Sequence, residues 1–274
     1  MQTGTKQILL LAGALALTTV LYFAPKKLEK ADTAAEPGMV SGLSFEGLLG
    51  QAKGQLKREE LEPVNGLEKQ LRVDSSNVEL LDSLGKTWDR LQFPVVSAHY
   101  FEAIALKQPT EKNWINAGYR YFDSFRFSED SLLRNMMVEK AIASYREVLK
   151  INPHNLDAKT DLGICYAEGT GNPMQGIMLL REVVTENPDH ANAQFNLGVL
   201  SVRSGQLSKA VERFEKVLTL DPKNSRARFL LGRTLFGLGE KDKALANLRL
   251  IKKQENDPQI IAETDSLISQ IHNP

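Results

Sequence analysis

Between residues 193 and 251 the chain repeats itself at a shift of 34 residues. Leu197-Gly198 reappears as Leu231-Gly232 and Gly205 as Gly239. Lys209-Ala210 reappears as Lys243-Ala244, and Leu248 takes the place of Phe214. A period in this range constrains the fold more than composition does, because it marks stacked structural units. Gly and Ala stand where two helix backbones approach closely, and large apolar side chains stand on either side. One such unit cannot bury its own apolar face, so units must stack.

The same pattern extends upstream in looser form. A unit from about 156 carries Leu162, Gly163, Tyr166, Gly176, Leu180, Val183 and Pro188. One from 111 carries Trp114, Ala117, Gly118, Tyr121, Ala141, Tyr145, Val148 and Pro153, with eleven extra residues between Tyr121 and Ala141. One from 78 carries Leu81, Leu84, Gly85, Trp88, Ser97, Phe101, Ile104 and Pro109. Eleven residues are about three helical turns, so the extra length predicts two longer helices with a turn near Ser128–Ser131. A plain inserted loop is the alternative. Prolines close the units because proline cannot continue a helix interior.

This pattern resembles the tetratricopeptide repeat. The resemblance implies an all-α, right-handed α-solenoid of about five helix pairs over 78–258. The units are 78–110, 111–155, 156–190, 191–224 and 225–258. Residues 259–274 form a capping helix, with Ile260, Ile261, Leu267 and Ile268 expected to cover the last unit. Before the repeats, residues 44–76 read as helical lead-in. Leu48, Leu49, Ala52 and Leu56 recur at helix spacing, and Pro63 is expected to separate them from a short helix around Leu67 and Leu71.

The front end differs in kind. Residues 7–24, QILLLAGALALTTVLYFA, contain no charge. Eighteen helical residues span about 27 Å, close to a hydrocarbon core. With the tail 1–6 before it and the linker 25–43 after it, this segment predicts one transmembrane anchor. A cleaved signal peptide is the rival, with an unusually long apolar core. Lys26, Lys27 and Lys30 against Lys6 place the bulk of the chain on the cytoplasmic side by the positive-inside rule. The extracytoplasmic topology is the alternative.

The net charge is zero, from 34 basic and 34 acidic residues. No basic stripe suggests nucleic acid as a partner. A single cysteine, Cys165, excludes an internal disulfide and reads as a small buried hydrophobe. His99, His154, His190 and His272 form no HExxH or other paired ligand spacing. Gly169, Gly171 and Gly176 lack dinucleotide-loop spacing, and Ser83–Lys86 matches SxxK only on repeat framework. No enzyme, cofactor or metal is expected.

The resemblance implies instead a protein or peptide partner in a concave groove lined by the first helix of each pair. Position six of the units reads Ser83, Asn116, Asp161, Asn196 and Leu230. Asn116 and Asn196 match the family's asparagine, whose amide offers both a donor and an acceptor to a peptide unit. Tyr119, Phe195, Val199, Arg203, Arg226 and Arg233 are the neighbouring candidates. Three arginines near one end could hold a carboxylate in bidentate fashion. The carboxylate clamp found in some members is not expected, because only two of its five positions fit. The aromatic run YRYFDSFRF, residues 119–127, is read mainly as core between long helices. The expected role is therefore a membrane-tethered interaction scaffold. The alternative is a chaperone-like ancillary subunit of a secretion or membrane-assembly complex.

Overall fold

The structure, a computed structural model, describes residues 44–272. The tail 1–6, the apolar segment 7–24 and the linker 25–43 lie outside the described residues. Among the described residues there are thirteen α-helices and no strand, and no helix is long and apolar enough to cross a membrane. Two lead-in helices, α1 (Phe45–Gln55) and α2 (Arg58–Val73), precede five antiparallel pairs. The pairs are α3 (Val78–Arg90) with α4 (Pro94–Lys107), α5 (Glu111–Phe127) with α6 (Ser131–Ile151), and α7 (Leu156–Gly169) with α8 (Pro173–Glu186). They continue with α9 (Ala191–Arg203) and α10 (Leu207–Leu220), then α11 (Ser225–Gly237) and α12 (Lys241–Gln254). A single helix, α13 (Pro258–His272), follows.

Local chemistry sets these boundaries. The first helix of every pair starts on a side-chain cap, supplied in turn by Asn77, Thr110, Asn155, His190 and Asn224. Each cap accepts from the backbone N–H three residues on, satisfying a donor that the first turn leaves free. At His190 the acceptor is Nδ1, 3.3 Å from Ala193 N. Pro94 and Pro173 open α4 and α8, where a missing N–H does no harm.

Inside each pair a glycine of the first helix lies under a large side chain of the second. Gly85 faces Phe101, Gly118 faces Tyr145, Gly198 faces Phe214 and Gly232 faces Leu248. The third pair is tighter. A Cβ on Gly176 would stand 2.2 Å from the carbonyl oxygen of Gly163, so the backbones themselves touch. Trp88, Tyr145, Phe214, Leu180 and Leu248 are fully buried by this stacking, and each contributes about 2–3 kcal/mol of apolar burial.

The eleven extra residues lie in helix. The second pair runs for 17 and 21 residues, against 13 and 14 in the pairs after α9. Only Ser128, Glu129 and Asp130 separate the two. Asp130 caps α6 by accepting from Leu133 N at 2.9 Å. Arg134 ties the turn by donating to the carbonyls of Phe125 and Ser128 at 2.9 and 3.2 Å. The aromatic run divides: Tyr121, Phe122 and Phe125 are buried, whereas Tyr119 and Phe127 are exposed.

One expectation needs correction. Pro63 does not divide the lead-in; it sits inside α2. The break falls at Leu56-Lys57 instead, where the Glu60 carboxylate accepts from Lys57 N and opens the helix. A proline in the second turn removes a single intrahelical bond, and α2 recovers stability by burying Val64 and Glu68. Glu68 pairs with Lys53 of α1. At the other end, α13 buries Thr264, Leu267 and Ile271, with Ile260 and Ile268 half-buried against the last pair. Ile261 is half-buried too. Ile271 continues the stripe one turn past the expected cover, four residues after Leu267.

Candidate functional site

The first helices of successive pairs lie side by side, and they line a cavity of about 260 Å³. Residues spaced three, four and seven apart share a helix face. That spacing brings Tyr119, Phe122 and Arg126 of α5 to the cavity, along with Asp161, Ile164 and Glu168 of α7. From α9 come Asn192, Phe195, Asn196, Val199 and Arg203, and from α11 only Arg226. Six of the eight candidates read from sequence therefore converge: Tyr119, Phe195, Asn196, Val199, Arg203 and Arg226. Asn116 and Arg233 do not line the cavity. Asn116 lies nearly three turns before Arg126 on α5, and its carbonyl accepts from Arg120 at 3.2 Å. Arg233 is exposed two turns beyond Arg226 on α11.

The floor is apolar. Phe195 and Val199 pack partly buried against the core of the last pairs, and the Phe195 ring lies 5.9 Å from that of Phe214. The walls are polar. Glu168 holds two arginines, Arg126 at 3.3 Å and Arg203 at 3.8 Å. The Arg226 guanidinium sits 5.2 Å from the Phe195 ring centroid, in reach of a cation–π contact. Asn196 directs its amide nitrogen at the backbone and side-chain oxygens of Asn192, both at 2.8 Å. Its amide oxygen is the acceptor left for a ligand.

Asp161, Glu168 and Arg126 were not among the sequence candidates. Asp161 stands at position six, and Glu168 at position thirteen, of the unit starting at 156. The repeat register was the signal that could have found both. Arg126 lies beyond the ordinary length of a first helix and has no register counterpart. Burial, with Asp157 one turn away, pushes the Asp161 carboxyl up to about 6, although the Tyr145 hydroxyl donates to it. Cys165 is buried beside this face, and burial raises its thiol well above the usual range. It behaves as a small hydrophobe. Among the described residues no group of three or more His, Cys, Asp or Glu could hold a metal.

Residues 201–262 match the model of the tetratricopeptide repeat family. The chain carries tetratricopeptide repeats. Subunit 3 of the anaphase-promoting complex of Schizosaccharomyces pombe is 29% identical over 118 residues, 43% of this chain and 18% of that protein. The chain spans about a fifth of the length of the curated relatives it matches. Among solved structures, a tetratricopeptide repeat protein from Parabacteroides merdae aligns with a TM-score of 0.58 at 16% identity, over 85% of this chain and 88% of that one. PilW, described as a widely conserved type IV pilus biogenesis factor, aligns with a TM-score of 0.54 at 17% identity, over 84% and 99%. Likeness at these identities establishes the fold. The tetratricopeptide units put glycine and alanine at the helix crossings and turn their first helices toward the cavity.

Proposed function

We propose that this tetratricopeptide repeat chain is a protein–protein interaction scaffold that holds an extended segment of a partner in its concave groove. The observation that carries the reading is the convergence of α5, α7, α9 and α11 on one cavity. It has an apolar floor at Phe195 and Val199, an open amide acceptor at Asn196, and arginines on its walls. An apolar floor anchors a side chain of the partner, while the amide and guanidinium groups fix its backbone and acidic groups. The apolar segment 7–24 supports a tether to a membrane, the side of which is open. That segment also supports a second reading, an ancillary subunit of a secretion or membrane-assembly complex. No catalytic step is assigned to the cavity.

The test compares partners recovered with the parent chain and with an Asn196→Ala, Arg226→Ala variant from gently solubilised membranes. Ala143→Arg, at an exposed position of α6, serves as control. The reading expects the double variant to weaken partner binding about ten-fold, a loss of 1.4 kcal/mol, with the control unchanged. Equal recovery by all three chains sinks the groove assignment.

A further inference from the structure

A second cavity, of about 610 Å³, lies between α5 and the turn that joins α3 to α4. It shares only Tyr119 with the groove. Tyr119, Asp123 and Phe127 line it from α5, and Gln92 and Pro94 line it from the turn. The three α5 residues are spaced four apart, so they form one stripe with about 6 Å between successive positions. Tyr119 is 61% and Phe127 74% exposed.

Three other rings of α5 are already matched with a cation of this chain, and Trp114 is buried in the core. Lys140 lies over Tyr121 at 5.9 Å, Arg126 over Phe122 at 4.7 Å and Arg134 over Phe125 at 4.3 Å. Arg120 of α5 also lines the cavity; it lies over Phe101 at 3.6 Å and is neutralised by Asp89 of α3, another lining residue, at 2.8 Å. Tyr119 and Phe127 have no such cation among the described residues. Between them, Asp123 has neither ion pair nor hydrogen-bond partner among the described residues. The cavity therefore presents one uncompensated carboxylate flanked by two bare aromatic faces. That is the complement of a guanidinium, whose plane stacks on rings and whose N–H fork meets a carboxylate. Phe127 ends the lengthened helix, so the extra residues of the second pair complete this site.

We infer that the Tyr119–Asp123–Phe127 stripe docks an arginine side chain from an extended segment of a partner protein. This goes beyond the groove reading, because Asp123 and Phe127 do not line the groove cavity. The volume exceeds one guanidinium and leaves room for an apolar neighbour of the arginine against Pro94.

The experiment uses the full chain in mild detergent and two capped twelve-residue peptides. One carries a central arginine between leucines; its twin carries citrulline, the neutral isostere. The parent is expected to bind the arginine peptide about ten-fold more tightly. That preference should vanish in Asp123→Asn, shrink in Phe127→Ala and survive in the groove variant Arg226→Ala. Phe127 is mostly exposed and Asp123 unpartnered, so both variants should fold with unchanged melting. No arginine preference in the parent, or one that survives Asp123→Asn, overturns the inference. Self-association that Asp123→Asn abolishes, without arginine preference, also overturns it and assigns the stripe to a second copy of this chain. If the preference survives Arg226→Ala while partner recovery also survives the groove variant, the groove reading fails and the stripe stands.

Discussion

Asp161 sits where the groove meets the core of α6 and α7, and its environment works against its charge. An unfolded chain ionises it near 3.8, whereas the folded chain holds the proton until about pH 6. The folded state is thus penalised as pH rises between those values, and the penalty is complete above about 6. Asp161→Asn removes it, since asparagine mimics the protonated acid. The variant should be more stable than the parent at pH 7.5, by on the order of 1 kcal/mol after solvent screening. The gain should fade toward pH 4. Denaturant midpoints at the two pH values decide this, and an equal effect at both contradicts the assignment. Position six is where the sequence reading looked for asparagine, so it found Asn196 and passed over an acid. Arg226, Phe195 and Val199 were legible because register alone places them. Asn116 obeyed the same register yet missed the cavity, because the wall turns toward α7 and α9, a tertiary fact that no single repeat encodes.

At the scale of helices, three ends share one geometry. Gly205 and Gly239 follow α9 and α11 with φ of 73° and 82°. In each, the next residue's N–H returns to a helix carbonyl, Gln206 to Ser201 at 2.8 Å and Glu240 to Leu235 at 2.9 Å. After α3 the same closure runs from Phe93 to Trp88 at 3.0 Å, but its left-handed residue is Gln92, with φ 63°. A side chain there costs about 1–2 kcal/mol that glycine avoids. Gln92→Gly should therefore stabilise the chain by about 0.5–1 kcal/mol, less than the full cost because glycine also loosens the unfolded chain. Gly205→Ala should destabilise by about 1 kcal/mol. Urea midpoints of both variants measure it, and a stability loss in Gln92→Gly contradicts it. The glycine pair was visible in the 34-residue shift; the glutamine was not, because its conformation is imposed by the turn. Pro63 failed as a boundary for the converse reason. A local breaker inside α2 yields to the burial of Val64 and to the start signal at Glu60.

At the scale of the molecule, the buried side chains of the described residues form two main clusters, one from Ala52 to Leu197 and one from Ala210 to Ile271. Phe195 and Val199 of α9 pack on the second, so the groove floor lies where the two meet. In a repeat architecture each unit leans on its neighbours alone. Removing residues 257–274 uncovers Ile251 and Leu248 and forfeits the burial of Leu267 and Ile271, roughly 3–5 kcal/mol. Hydrogen exchange should then accelerate in α11 and α12 while α5 and α6 keep their protection. Uniform acceleration would show that the units unfold as one block.

The central claim is that the face built by α5, α7, α9 and α11 holds a partner segment. Photo-crosslinking tests it most directly, with a photoreactive residue placed in turn at Asn196, Val199 and Ala143 of the full chain in intact cells. The account predicts that Asn196 and Val199 capture the same protein and that Ala143 on the opposite helices does not. Capture from Ala143 alone, or from none of the three, would contradict it.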